Sequence, residues 1–279
     1  MRINKDSLKA RANNIAKKYC VSQNIIYDRF FFDAFLARLA ASPYKDSLVL
    51  KGGIYLSSLL GIENRSTVDI DFYGKHIKME QLVVENIIKE ISSMDINDGI
   101  TFTYLGTLTI RKDDQYGGFQ ISLRGKLENV REDFSIDVAT GDPIVPSVRS
   151  FEYKCLVTEE VLPLKAYSLE TVVSEKLQTI LSKSIANSRS KDYYDLYILE
   201  KTQKDNIDIT FLKKSFEKTC KYRKFSITKE NALELLSVIE NNEQIQLRWR
   251  VYSSKNKYAN VNFAEVVKAI RFWVEQIYG

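Results

Sequence analysis

The sequence predicts a mixed α/β protein whose sheet sits between helical ends. Extended runs cluster between residues 45 and 167, and amphipathic helical spacing precedes them. From Ser168 onward the spacing is helical, without a glycine until Gly279. A chain of 279 residues that is 44% hydrophobic can bury a sizeable core. That excludes a disordered or collagenous chain, and no fixed-period repeat marks a solenoid.

The elements follow in order. Residues 5–20 carry Leu8, Ala12, Ile15 and Ala16 on one helical side. A second helix over 23–41 buries Phe30, Phe31, Phe35 and Leu39, with Asp28, Arg29 and Arg38 expected toward water, and Ser42-Pro43 ends it. Leu48-Val49-Leu50 reads as a strand, Lys51-Gly52-Gly53 as a turn, and 54–60 as a helix. Val68–Phe72 is a second strand. A helix at 78–92 precedes strands at 101–110, 118–127 and 134–139, the first two joined near Gly117-Gly118. Helices are expected at 168–184, 191–201, 208–222, 228–241 and 262–278. The expected division is 1–167, with N-terminal helices and the sheet, and 168–279, a helical basic lobe, the two packing as one body with a cleft between them.

Charge and rare residues narrow the chemistry. Residues 1–147 balance at 19 basic and 19 acidic side chains, so 148–279 carry the whole excess of +5. This suits either a polyanionic partner or a solvated lysine-rich surface. His76 is the single histidine, in a polar loop, which excludes His-based triads and zinc sites. Cys20, Cys155 and Cys220 lie far apart and read as buried free thiols of a reducing cytosol. No run is long enough to span a membrane, and the charged start argues against a secretion signal. Cytoplasmic residence is expected.

In Val68–Phe72, alternation puts Asp69 and Asp71 on one face, ~7 Å apart along the strand. Asp is a poor strand former, so two on one short strand mark a local exception of the kind that concentrates at functional sites. Ile136-Asp137-Val138 repeats the signature. Three strand carboxylates suit Mg²⁺ or Mn²⁺, with phosphates completing the shell. Gly52 and Gly53 offer backbone donors at a helix start. Alone they are a tight turn. Together with the carboxylates they form the pattern of the nucleotidyltransferase fold. The fold's usual Gly-Ser has become Gly-Gly here, and Ser57 is a candidate hydroxyl. In the helix at 168–184, Lys176 falls within the apolar stripe of Leu169, Val172, Val173, Leu177, Ile180 and Leu181. It is either a snorkelling stem or a cation for a triphosphate. Asp192 opens the next helix, where spacing by itself favours a dipole-stabilising role.

Five segments in order resemble the AbiEii family, the nucleotidyltransferase-like toxins of AbiE phage-defence toxin–antitoxin systems. They are Lys51-Gly52-Gly53, Gly61–Asp71, Ile136–Asp142, Glu170–Leu177 and Asn187–Asp195. The resemblance runs from about residue 5 to 225. It implies a nucleotidyltransferase fold and a Mg²⁺- or Mn²⁺-dependent toxin in abortive infection that transfers NMP from an NTP to the 3′ end of tRNA. By position it assigns Gly52, Gly53 and Arg65 to the phosphates, with Lys51 beside them. Asp69, Asp71 and Asp137 fall to metal and catalysis, Lys176 to the family's lysine motif, and Asp192 to an assisting role. It also implies an antitoxin encoded nearby, without a stable complex. Lys213, Lys214, Lys218, Lys221, Arg223 and Lys224 suit a tRNA partner. Tyr193, Tyr194 and Tyr197 suit either base stacking or a helical core. Rival readings are transfer to a protein hydroxyl and an NTP-binding regulator without turnover.

Overall fold

The extended runs become one seven-stranded mixed sheet in the computed structural model, which describes residues 3–110 and 117–279. Gly118, expected with Gly117 to make the turn between two strands, instead opens the second of them and pairs with Ile110; residues 111–116 and the first two residues of the chain lie outside the described residues. The chain forms two compact units. The first runs to Gly141 and resumes over Arg149–Ala166; the second comprises Asp142–Val148 and Tyr167–Gly279.

The first unit contains, in order, α1 (Lys5–Tyr19), α2 (Gln23–Ala41), β1 (Leu48–Lys51), α3 (Gly52–Leu60), β2 (Asp69–Gly74) and α4 (Gln81–Ser93). Then come β3 (Ile100–Ile110), β4 (Gly118–Leu127), β5 (Val130–Ala139), β6 (Arg149–Lys154) and β7 (Val161–Ala166). Strand order across the sheet is β3-β4-β5-β2-β1-β7-β6. β2 is parallel to β5 and β1 parallel to β7, while the other neighbours are antiparallel. Tyr104 and Gly106 of β3 pair with consecutive residues of β4, so Leu105 forms a bulge.

The core of this unit is aromatic. Phe31, Phe32 and Phe35 of α2 are fully buried, and Phe35 packs on Phe72 of β2 and Phe102 of β3. Each ring contributes about 2–3 kcal/mol by leaving water. Two residues of α2 overturn the expectation of exposure: Arg29 and Arg38 are only 5% and 1% exposed. Arg38 uses its whole donor fork on Asp98 and on the carbonyls of Met94, Ala34 and Ile100. A guanidinium whose five N–H groups are all satisfied is stable inside. Asp28 keeps partial exposure. Cys20 also differs from expectation: it is exposed, whereas Cys155 and Cys220 are buried free thiols.

β6 and β7 were not expected. Pro163 within β7 argues against an interior strand, yet β1 is short and meets β7 only at Leu50 and Ala166. Pro163 faces Glu152 of β6 and has no β1 residue registered opposite it, so its missing N–H costs no ladder bond there.

The second unit holds α5 (Leu169–Lys183), α6 (Ser190–Gln203), α7 (Ile209–Tyr222), α8 (Lys229–Asn241), α9 (Glu243–Lys255) and α10 (Phe263–Tyr278). Side chains start several of them: Ser168 accepts from the Thr171 amide and Asp208 from the Phe211 amide. Trp273 of α10 is fully buried and donates to the Leu196 carbonyl of α6. α9 went unpredicted because Ile245 and Trp249 alone carry its buried side.

Candidate functional site

Strand pairing assembles the site in the first unit. Along β2, Ile70 and Phe72 are fully buried, and Asp69 and Asp71 alternate with them on the opposite face, half-buried. Val68 was expected with the apolar set but precedes the strand and is 67% exposed. In register, Asp71 lies between Lys51 of β1 and Asp137 of β5, and Asp137 faces Gln120 of β4. Residues opposed in this way share a face, with neighbouring strands ~4.8 Å apart. A cross-strand row therefore reads Lys51, Asp71, Asp137, Gln120. Gln120 Nε2 donates to Asp137 Oδ1 at 2.9 Å. Asp69 lies two residues back along β2, opposite Ser135.

The glycine turn closes on this row. α3 begins at Gly52, earlier than the spacing predicted, and the Gly53 amide donates to Asp71 Oδ2 at 3.3 Å. Gly52 has φ +60°, and a Cβ there would stand 2.0 Å from the same carboxylate oxygen. A side chain is thus excluded both by conformation and by space. A Cβ on Gly53 would meet Thr67 Oγ1 at 2.3 Å and lie 3.6 Å from Arg65 Nη2. Arg65 is buried, and its guanidinium donates to the Ser66 carbonyl. Lys51, Gly52, Gly53, Arg65, Asp69, Asp71 and Asp137 are thereby gathered in one unit. Ser57 is placed otherwise: it is buried, and its hydroxyl accepts from Arg29 Nη1 at 3.0 Å.

Lys176 and Asp192 meet in the second unit. Lys176 Nζ lies 2.7 Å from Asp192 Oδ1 and 2.7 Å from Asp195 Oδ2, and Asp195 is fully buried. Burial works to lower the Lys176 pKa, but the two carboxylates outweigh it and hold the ammonium above its ordinary value. Arg189 Nε approaches Asp192 at 3.4 Å. Asp195 was missed as a partner, although its i+3 spacing from Asp192 placed it on the same helical face.

Arg223 was counted in the basic cluster, but it turns inward. It donates to Asp142 Oδ1 at 2.9 Å, Gln178 Oε1 at 2.7 Å and Thr179 Oγ1 at 3.1 Å. Lys213, Lys214, Lys218, Lys221 and Lys224 are exposed. Tyr193 and Tyr194 belong to the core, at 1% and 2% exposure, and Tyr194 Oη donates to the Tyr258 carbonyl; Tyr197 is half-buried. His76 is exposed. Among the described residues, no three or more His, Cys, Asp or Glu side chains gather as a metal shell by themselves. No described helix is long and apolar enough to cross a membrane.

An enzyme handling a nucleoside triphosphate needs backbone donors and hard oxygens close together, and the first unit combines them within the nucleotidyltransferase fold. The family described as nucleotidyl transferase AbiEii toxin, type IV TA system, matches residues 34–269, and the chain belongs to it. Two crystal structures from Helicobacter pylori have a similar fold. One, described as a nucleotidyltransferase, has a TM-score of 0.55 at 16% identity and covers 92% of this chain and 96% of its own. The other, JHP933, has a TM-score of 0.54 at 16% identity, covering 92% and 93%. Comparison with curated proteins gives no match. The chain is a nucleotidyltransferase of a toxin–antitoxin family, which implies an NTP substrate and a cognate antitoxin.

Proposed function

We propose that this enzyme transfers a nucleotidyl group from an NTP to the 3′ end of tRNA in the cytoplasm, using Mg²⁺ or Mn²⁺. The observation that carries this reading is the row of Lys51, Asp71 and Asp137 beneath the glycine turn. The donor set is all oxygen, as these ions prefer, and two carboxylates suffice when substrate phosphates complete the shell. Asp69 and Asp71 would hold the ion. A bound divalent ion would offset charge on the triphosphate and on the departing pyrophosphate.

The chain's own groups do the positioning. The amides of Gly52 and Gly53, with Lys51 and Arg65, steady phosphate oxygens. Asp137, oriented by Gln120, either completes the metal site or takes the proton of the acceptor hydroxyl. That hydroxyl oxygen bonds to the α-phosphorus as the bond to the bridging oxygen breaks, and pyrophosphate leaves. Lys176 and Asp192 contribute charge and orientation, and any phosphate reaching Lys176 competes with Asp192 and Asp195 for it. The exposed lysines of α7 meet the RNA backbone. The antitoxin acts without forming a stable complex.

The test incubates purified protein with each α-labelled NTP, Mg²⁺, total tRNA and a protein lysate. Label is expected in tRNA, with pyrophosphate released, and Asp71→Asn should lower transfer by about a hundred- to a thousandfold. Label in protein, triphosphate binding without pyrophosphate release, or full activity in Asp71→Asn would overturn the reading.

A further inference from the structure

A cavity of about 420 Å³ opens in the first unit at the C-terminal end of α3. Its walls come from α1, from Arg29 of α2, from the last turn of α3 with the residues after it, and from the β6–β7 connection. Neither the glycine turn nor any carboxylate of the cross-strand row lines it. Much of it is built from α1 and Arg29, which precede residue 34, where the family match begins.

Arg29 makes a fixed wall. Asp33 accepts from Arg29 Nε at 3.2 Å, from the Tyr153 hydroxyl at 2.6 Å and from the Leu156 amide at 2.6 Å. The guanidinium lies 5.0 Å from the Tyr153 ring centroid. This pair is self-balancing, which leaves Arg11, Lys18 and Lys154 facing two wall carboxylates, Glu63 and Glu159, a net excess of one positive charge. Arg11 Nη1 donates to the Val157 carbonyl at 3.0 Å, and Lys18 Nζ lies 4.8 Å from the Tyr19 ring centroid, so both partners are uncharged. Of the two wall carboxylates, Glu63 is folded back against Gly61 and Glu159 is exposed. Ile15, Tyr19 and Ile62 supply an apolar side. Ser58 is also on the wall. The volume falls within the range of small-molecule sites.

We propose that this cavity binds a small phosphomonoester with a ring portion, of the size of a nucleoside monophosphate or a sugar phosphate. The phosphate meets Arg11, Lys18 and Lys154, and the ring lies against the apolar side. The site is separate from that of nucleotidyl transfer and does not depend on a metal ion.

Calorimetric titration of the full chain in EDTA, with AMP, glucose 6-phosphate and inorganic phosphate, tests this. At least one ester should bind with a submillimolar Kd, more tightly than inorganic phosphate. AMP alone binding identifies a nucleotide, and glucose 6-phosphate alone a sugar phosphate. Binding should persist in Asp71→Asn and weaken about tenfold or more in Lys18→Glu/Lys154→Glu. Both lysines are exposed. Circular dichroism and Tm verify the fold of that variant, and Lys18→Glu alone should act in the same direction. Absence of ester binding, or binding lost in Asp71→Asn and kept in the lysine variants, overturns the proposal. EDTA separates this outcome from the labelled-transfer test, which needs the metal ion.

Discussion

Gly52 and Asp71 compete for one volume, and Gly53 and Thr67 do the same one residue on. Serine at position 53 would restore the fold's more usual turn, yet its Cβ must displace Thr67 Oγ1, which lies at 2.3 Å. Gly53→Ser is therefore expected to destabilise by about 1–3 kcal/mol, and Thr67→Ala in the same chain should recover only part of that, because Thr67 Cβ also lies at 2.9 Å, as urea denaturation would show. Asp28 gives a pH signature. Burial, and then Glu132, push its carboxyl up from 3.8 to about 6. The folded state keeps this proton to higher pH than the unfolded chain. The contribution of Asp28 to stability is therefore greatest below the unfolded value, declines as pH rises toward about 6, and levels there. Asp28→Asn should abolish that decline and stabilise by about 1 kcal/mol at pH 7, allowing for solvent screening, as Tm against pH would report. Asp69 and Asp71 were legible because strand alternation needs only neighbours in sequence. The burial of Arg29 and Arg38 was not, because what makes an interior cation tolerable is its acceptors, and Asp98 lies sixty residues from Arg38.

Between elements, α5 and α6 are joined by a lysine held by two aspartates of the neighbouring helix. Lys176→Met removes the cation and leaves Asp195, fully buried, without it. A loss of about 3–5 kcal/mol is expected by urea denaturation, so any fall in transfer must be scored on folded protein. Spacing identified Lys176 as misplaced on an apolar stripe, which is what a buried ion pair looks like before its partner is known. Most helices were readable because their stripes are strong and their ends are capped, as Ser168 and Asp208 do for α5 and α7. α9 buries too little to announce itself. β6 and β7 are short, and a proline interrupts the second. Their place in the sheet follows from where β1 ends, which no local pattern encodes.

At the scale of the molecule, charge and the open borders of the sheet matter most. Lys214→Glu, Lys218→Glu and Lys221→Glu together remove exposed positive charge from α7. If these lysines meet tRNA phosphates, the triple variant should bind tRNA more weakly across sequences, and the slope of log affinity against log salt should shrink by about 2–3. Filter binding at several salt concentrations measures both. β3 and β6 border the sheet. β3 is eleven residues long, with Leu105 43% exposed and Leu108 64% exposed. A long apolar strand with unsatisfied backbone groups on one side is the template on which fibrils grow. The bulge at Leu105 divides that template into two short stretches of mismatched pleat, so an incoming chain can zip along neither for long. One extra residue thus leaves the exposed side of β3 a poor template for a second copy of the same strand.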